Sequence, residues 1–137
     1  MKVARIFPTK TSMCPTDPDA YFGVPEMFIP KYDEVHISCT FTWDIIKAKN
    51  LALQWKHIAP IKIGGVAIDG ESNQPFQVGM YLKKGITITS RGCPNKCIFC
   101  AVKAAWGRRW IARSAYNVVD EIEYLYDLGY REIHFND

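Results

Sequence analysis

Gly85-Ile-Thr-Ile-Thr-Ser-Arg-Gly-Cys93-Pro-Asn-Lys-Cys97-Ile-Phe-Cys100 is the stretch on which the reading of this chain turns. Residues 85–90 alternate glycine, isoleucine and threonine and read as a short β-branched strand. The strand runs straight into a loop where three thiols stand at spacings of four and three. Gly92 permits an unusual backbone turn out of the strand, and Pro94 stiffens the loop and removes one donor. Thiolates at such spacing are iron–sulfur ligands, and a [4Fe–4S] cluster takes four of them. Only three are local, which leaves one iron open to another ligand. A structural zinc site asks for four protein ligands, commonly in two close pairs, and the triplet does not supply them.

The flanks extend the pattern. From Ser114 a helix is expected, with Val118, Val119, Ile122, Leu125 and Tyr126 along one side. Asp120, Glu121 and Glu123 favour its N-terminal half, and Gly129 suits its C-terminal cap. Arg131–Phe135 reads as the next strand. Upstream, residues 34–41 alternate as a strand, Thr42 or Asp44 is placed to cap a following helix, and Pro60–Ile63 closed by Gly64-Gly65 is a second strand. Ile45, Ile46, Ala48, Leu51, Ala52, Leu53 and Trp55 form the apolar side of that helix. Such a strand–helix–strand unit normally pairs its strands in parallel.

Residues 1–33 read as irregular, because Pro8, Pro15, Pro18, Pro25 and Pro30 interrupt everything after a possible strand at Val3–Phe7. Residues 69–79 are polar and turn-rich and give the best domain boundary. The expected class is therefore α/β. An irregular segment over 1–33 precedes a small Rossmann-like βαβ unit over 34–78, and a β-loop-α-β unit occupies 79–137.

The cysteine loop after a strand closely resembles the signature of the radical S-adenosylmethionine superfamily. The resemblance implies that Cys93, Cys97 and Cys100 ligate a [4Fe–4S] cluster whose fourth iron is chelated by S-adenosylmethionine. One electron then splits that cofactor into methionine and a 5′-deoxyadenosyl radical. Phe99 matches the aromatic position that lies beside the adenine in the family, with an ordinary core phenylalanine as the plain alternative. Residues 113–125 look like the first helix of the family's (β/α) barrel, and residues 132–137 like the end of its second strand. Asn136 and Asp137 stand where many members carry a glycine-rich segment that contacts the cofactor; a solvated turn is the alternative. The family also implies an electron donor such as flavodoxin or ferredoxin.

In several branches a cobalamin-binding Rossmann-like domain precedes the barrel, and residues 34–65 resemble a shortened version. The Asp-x-His-x-x-Gly loop of one cobalamin mode is missing, which argues against cobalamin. His36 reads as a structural residue within its strand, Cys39 as a small core residue and Cys14 as a surface thiol.

The 137 residues carry five cysteines, a net charge of +3 and 48% apolar residues. That composition supports a packed core, and the odd cysteine count points to metal ligation in place of a disulfide framework. No stretch reads as a membrane span or a signal peptide, so a cytoplasmic, reducing location is the default expectation. The charge is too small to argue for nucleic acid by itself. Lys96, Lys103, Arg108, Arg109 and Arg113 form a basic run free of acids, either a solvated face or one turned toward an anion. Arg108, Arg109 and Arg113 would suit a substrate carboxylate or phosphate, and Trp106 and Trp110 a cofactor or a core. A barrel unit needs about 30 residues, so residues 85–137 hold only the first, incomplete part of a barrel, and truncation is the expectation.

Overall fold

The computed structural model describes residues 1–68, 75–100, 102 and 109–137. The chain divides into two compact units, Met1–Ser72 and Asn73–Asp137. Each is α/β, with parallel strand pairing and one α-helix among the described residues.

The first unit contains β1 (Val3–Ile6), β2 (Ala20–Tyr21), β3 (Glu34–Ser38), a 3-10 turn (Thr42–Asp44), α1 (Ile45–Trp55) and β4 (Ile61–Gly64). The strands form one parallel sheet in the order β2-β1-β3-β4. β1 is the possible strand read at Val3–Phe7 and lies inside the sheet, and the segment read as irregular after it contributes β2 as well. β1 has no alternation to announce it, because three of its four side chains are buried. In β3 the alternation is clean: Val35 and Ile37 are buried, while His36 lies on the other face. There His36 and Lys62 both bond the Glu34 carboxylate at 2.8 Å. That fits the structural role expected of His36.

α1 buries Ala48, Leu51 and Trp55, spaced three and four apart on one face. Ile46 and Leu53, expected on that side, are exposed. Neither Thr42 nor Asp44 makes a side-chain cap; Phe41 precedes the 3-10 turn and Asp44 is buried. Trp55 is the anchor of the core. Its ring lies 5.0 Å from that of Tyr21, and its indole N–H donates to the Gly23 carbonyl at 2.9 Å. Cys39 is in the same cluster. Cys14 is also buried, against the surface position expected for it, with its sulfur 3.4 Å from the Thr11 amide. Gly65, at φ +109°, approaches Cys39 so closely that a Cβ would lie 2.5 Å from its carbonyl oxygen.

The second unit contains β5 (Ile86–Thr87), β6 (Ser90–Gly92), β7 (Trp110–Ala112), α2 (Ala115–Asp127) and β8 (His134–Phe135). β5 pairs in parallel with β8, and β6 pairs antiparallel with β7. Strand β7 was not expected, and the strands foreseen over 85–90 and 131–135 contract to two residues each. α2 turns Val118, Glu121, Ile122 and Leu125 to one side, with Val118 and Leu125 buried; Val119 and Tyr126, expected there, are exposed. It ends on Gly129 at φ +96°, whose amide donates to Tyr126 while the Tyr130 amide donates to Leu125. That pair of bonds is a Schellman cap. This parallel pair and helix agree with the α/β expectation. Most of the turn-rich stretch 69–79, namely 69–74, lies outside the described residues, as do Lys103, Trp106 and Arg108. Among the described residues no helix is long and apolar enough to cross a membrane.

Candidate functional site: the cysteine loop and its stem

The cysteine loop leaves the sheet at the C-terminal side of β5, the side on which parallel strands present ligand-binding loops. The chain changes partner on the way. Through Thr87 it pairs with β8, and from Ser90 it pairs with β7, with Ser90 opposite Ala112, Arg91 opposite Ile111 and Gly92 opposite Trp110. Gly92 and Trp110, which flank residues 93–109 in the sequence, are therefore held side by side. Gly92, at φ +80°, breaks the strand immediately before Cys93.

All three cysteines are free thiols. Cys97 is exposed and Cys93 and Cys100 are half-buried. The Cys100 amide donates to the Cys97 carbonyl at 3.4 Å, which gives the loop one turn. Among the described residues, no three Cys, His, Asp or Glu side chains stand close enough together to hold a metal ion. The sulfurs share one loop without being drawn to a common point. The donor set nonetheless suits an iron–sulfur cluster: three soft thiol ligands lie within eight residues and are unconsumed by disulfides. Phe99 is 89% exposed and packs into no core among the described residues. Lys96 is exposed beside it.

Polar side chains brace the base of the loop from two directions. From α2, Glu121 forms an ion pair with Arg113, accepting from Nη2 with one oxygen and from Nη1, at 3.0 Å, with the other. Arg113 Nη1 also donates to the Ile88 carbonyl at 2.7 Å, and the Thr87 hydroxyl donates to Glu121 at 2.7 Å. The Arg113 guanidinium lies 4.8 Å from the centre of the Phe76 ring, and its backbone N–H donates to the Thr89 carbonyl at 2.8 Å. Arg113, read either as part of a solvated face or as a group suited to an anion, is instead committed to these internal partners. From β8, the Asn136 amide donates to the Thr87 carbonyl at 2.9 Å. The Asp137 carboxylate accepts from the Thr89 amide at 2.6 Å, the Ser90 amide at 3.0 Å and the Thr89 hydroxyl. The Thr89 hydroxyl, followed by the two amides, holds its carboxyl below the usual carboxylate range.

Sequence reasoning found the thiols and the strand before them, and missed the bracing. Glu121 and Arg113 are eight positions apart, a spacing that no helical rule connects. Arg91 is also part of this base; burial and the nearby Arg113 charge hold its pKa below the arginine norm.

No protein-family model matches the chain, and no solved structure matches it. Curated relatives do match in part. An uncharacterized methyltransferase of Pyrococcus horikoshii is 43% identical over 54 residues, which is 39% of this chain and 12% of that protein. The cytidylyl-2-hydroxyethylphosphonate methyltransferase of Streptomyces wedmorensis is 41% identical over 64 residues, 46% of this chain and 12% of that protein. An uncharacterized methyltransferase of Synechocystis is 40% identical over 42 residues, 31% of this chain and 8% of that protein. The aligned stretches thus span an eighth or less of these relatives, each of which is named as a methyltransferase.

Proposed function

We propose that this chain carries the cluster-binding portion of a radical S-adenosylmethionine enzyme, acting in methyl transfer. The observation that carries the reading is the three-thiol loop at the C-terminal side of a parallel strand, its ends closed by an antiparallel stem. The methyltransferase names of the partial relatives support the use of S-adenosylmethionine and the class of product.

In this reading Cys93, Cys97 and Cys100 would hold a [4Fe–4S] cluster as thiolates, leaving it room to bind S-adenosylmethionine. Such a cluster would supply one-electron cleavage of S-adenosylmethionine, and because that cleavage leaves the methyl group on methionine, the methyl transferred would come from a second S-adenosylmethionine. The chain's own residues do the positioning. Gly92 turns the backbone so that Cys93 leaves the sheet, Phe99 offers an aromatic face to the adenine, and Asn136 and Asp137 end the neighbouring strand beside the loop. Solvent exposure of Cys97 and Lys96 leaves an approach for a reduced electron donor of the flavodoxin or ferredoxin kind.

Anaerobic reconstitution with iron and sulfide tests the reading. The expected result is about four irons per chain, a brown chromophore, and 5′-deoxyadenosine on adding dithionite and S-adenosylmethionine. Cys97→Ala should abolish all three. A colourless protein that takes up zinc and excludes iron would sink the proposal.

A further inference from the structure

Asp137 lies two register positions beyond the β5–β8 ladder. His134 is opposite Ile86 and Phe135 opposite Thr87, so the parallel progression brings Asp137 to Thr89. That is where the chain exchanges one partner strand for another. A change of ladder strands backbone donors, since a strand cannot bond both neighbours through a kink. Here the Thr89 and Ser90 amides both donate to Asp137 Oδ1, and the Thr89 hydroxyl donates to Oδ2. Three of the roughly four acceptor positions of a carboxylate are thereby occupied. A cofactor ammonium would have to displace these donors, two of which are backbone and fixed in place.

We infer that Asp137 is a positioning residue for the cysteine loop: its carboxylate locks the strand switch at Thr89 and Ser90, three residues before Cys93, and does not bind the cofactor. The Arg113–Glu121 pair holds the preceding carbonyl, that of Ile88, from the helix side. The segment that aims the first thiol is thus gripped on its amides by β8 and on its carbonyls by residue 113. The functional consequence rests on reading the loop as a cluster site; the lock itself does not.

Amide hydrogen exchange on the full, metal-free chain tests it. In Asp137→Ala, exchange at Thr89 and Ser90 should accelerate roughly tenfold or more, the loss expected for charge-assisted bonds. Asp137→Asn keeps the Oδ1 acceptor and should recover most of the protection. Thr89→Val removes only the hydroxyl, should give a smaller acceleration, and serves if Asp137→Ala fails to fold. Iron retained after anaerobic reconstitution and gel filtration should follow the same order, with Asp137→Asn near the parent. Unchanged exchange at both amides in Asp137→Ala would overturn the inference. So would an Asp137→Asn protein that keeps parental exchange and iron yet loses S-adenosylmethionine binding, because that marks an ionic contact to the cofactor. If the parent itself takes up no iron, the cluster reading fails and the exchange data still decide the role of Asp137.

Discussion

The two units solve the stability problem in different currencies. In Met1–Ser72, residues from all four strands and α1 form one core cluster with Trp55, and Ala4, Ile6, Val35, Ile37, Cys39 and Ala48 are essentially sealed from water. In Asn73–Asp137 the apolar burial is thin, centred on Ile86, Ile88, Val118 and Leu125, while Ile98, Phe99, Tyr116 and Phe135 face outward. What holds the second unit's strands in order is polar: the Arg113–Glu121–Thr87 network and the Asp137 carboxylate. Apolar burial is non-directional, whereas hydrogen bonds fix register and angle. The unit carrying the candidate chemistry is thus specified by directional contacts, and its neighbour by volume.

That contrast can be broken most sharply at Trp55. Trp55→Ala should cost about 3–5 kcal/mol, unfolding the first unit by near-ultraviolet circular dichroism, since both the ring and its bond to Gly23 are lost. Gly65→Ala should cost about 2–4 kcal/mol in the same unit, from positive φ and collision with the Cys39 backbone, read as a drop in the denaturation midpoint. Glu121→Gln tests the polar unit. It retains shape but removes the charge opposite Arg113, and should cost roughly 1–3 kcal/mol, with faster exchange confined to residues 86–90 and α2. A smaller effect comes from pH. The Asp137 carboxyl is held below its ordinary value of 3.8, so its contribution is complete above that value and is lost as pH falls through the depressed one. Thr89 and Ser90 should therefore lose protection in acid, and the Asp137→Ala chain should show no such step. Smallest of all, Phe99→Ala should leave stability within about 0.5 kcal/mol, because the exposed ring supports neither core. A larger loss in thermal unfolding would show that the loop is packed after all.

The regions differ in legibility for the same reason. Where a strand alternates over five residues, as in Glu34–Ser38, or a helix repeats a buried face, as with Ala48, Leu51 and Trp55, period alone reveals the element. β1, buried nearly throughout, offers only a possible strand without alternation, and β2, at two residues, is too short to show a period. Trp110–Ala112 gives no sign of pairing with Ser90–Gly92, since that contact is set by closure across the cysteine loop. The thiols of the candidate site were plain from spacing. The commitment of Arg113 and Asp137 to backbone groups near the loop was not, because it depends on where two chain segments meet and on no local pattern.

The antiparallel stem has a consequence for how this region can change. With Gly92 and Trp110 held opposite each other, the ends of the segment between them stay fixed whatever its length. For a flexible loop, closure entropy grows only logarithmically, by about 0.6 kcal/mol per doubling. The stretch from Cys100 to Trp110 can therefore lengthen, shorten or be exchanged without moving Cys93 relative to the sheet.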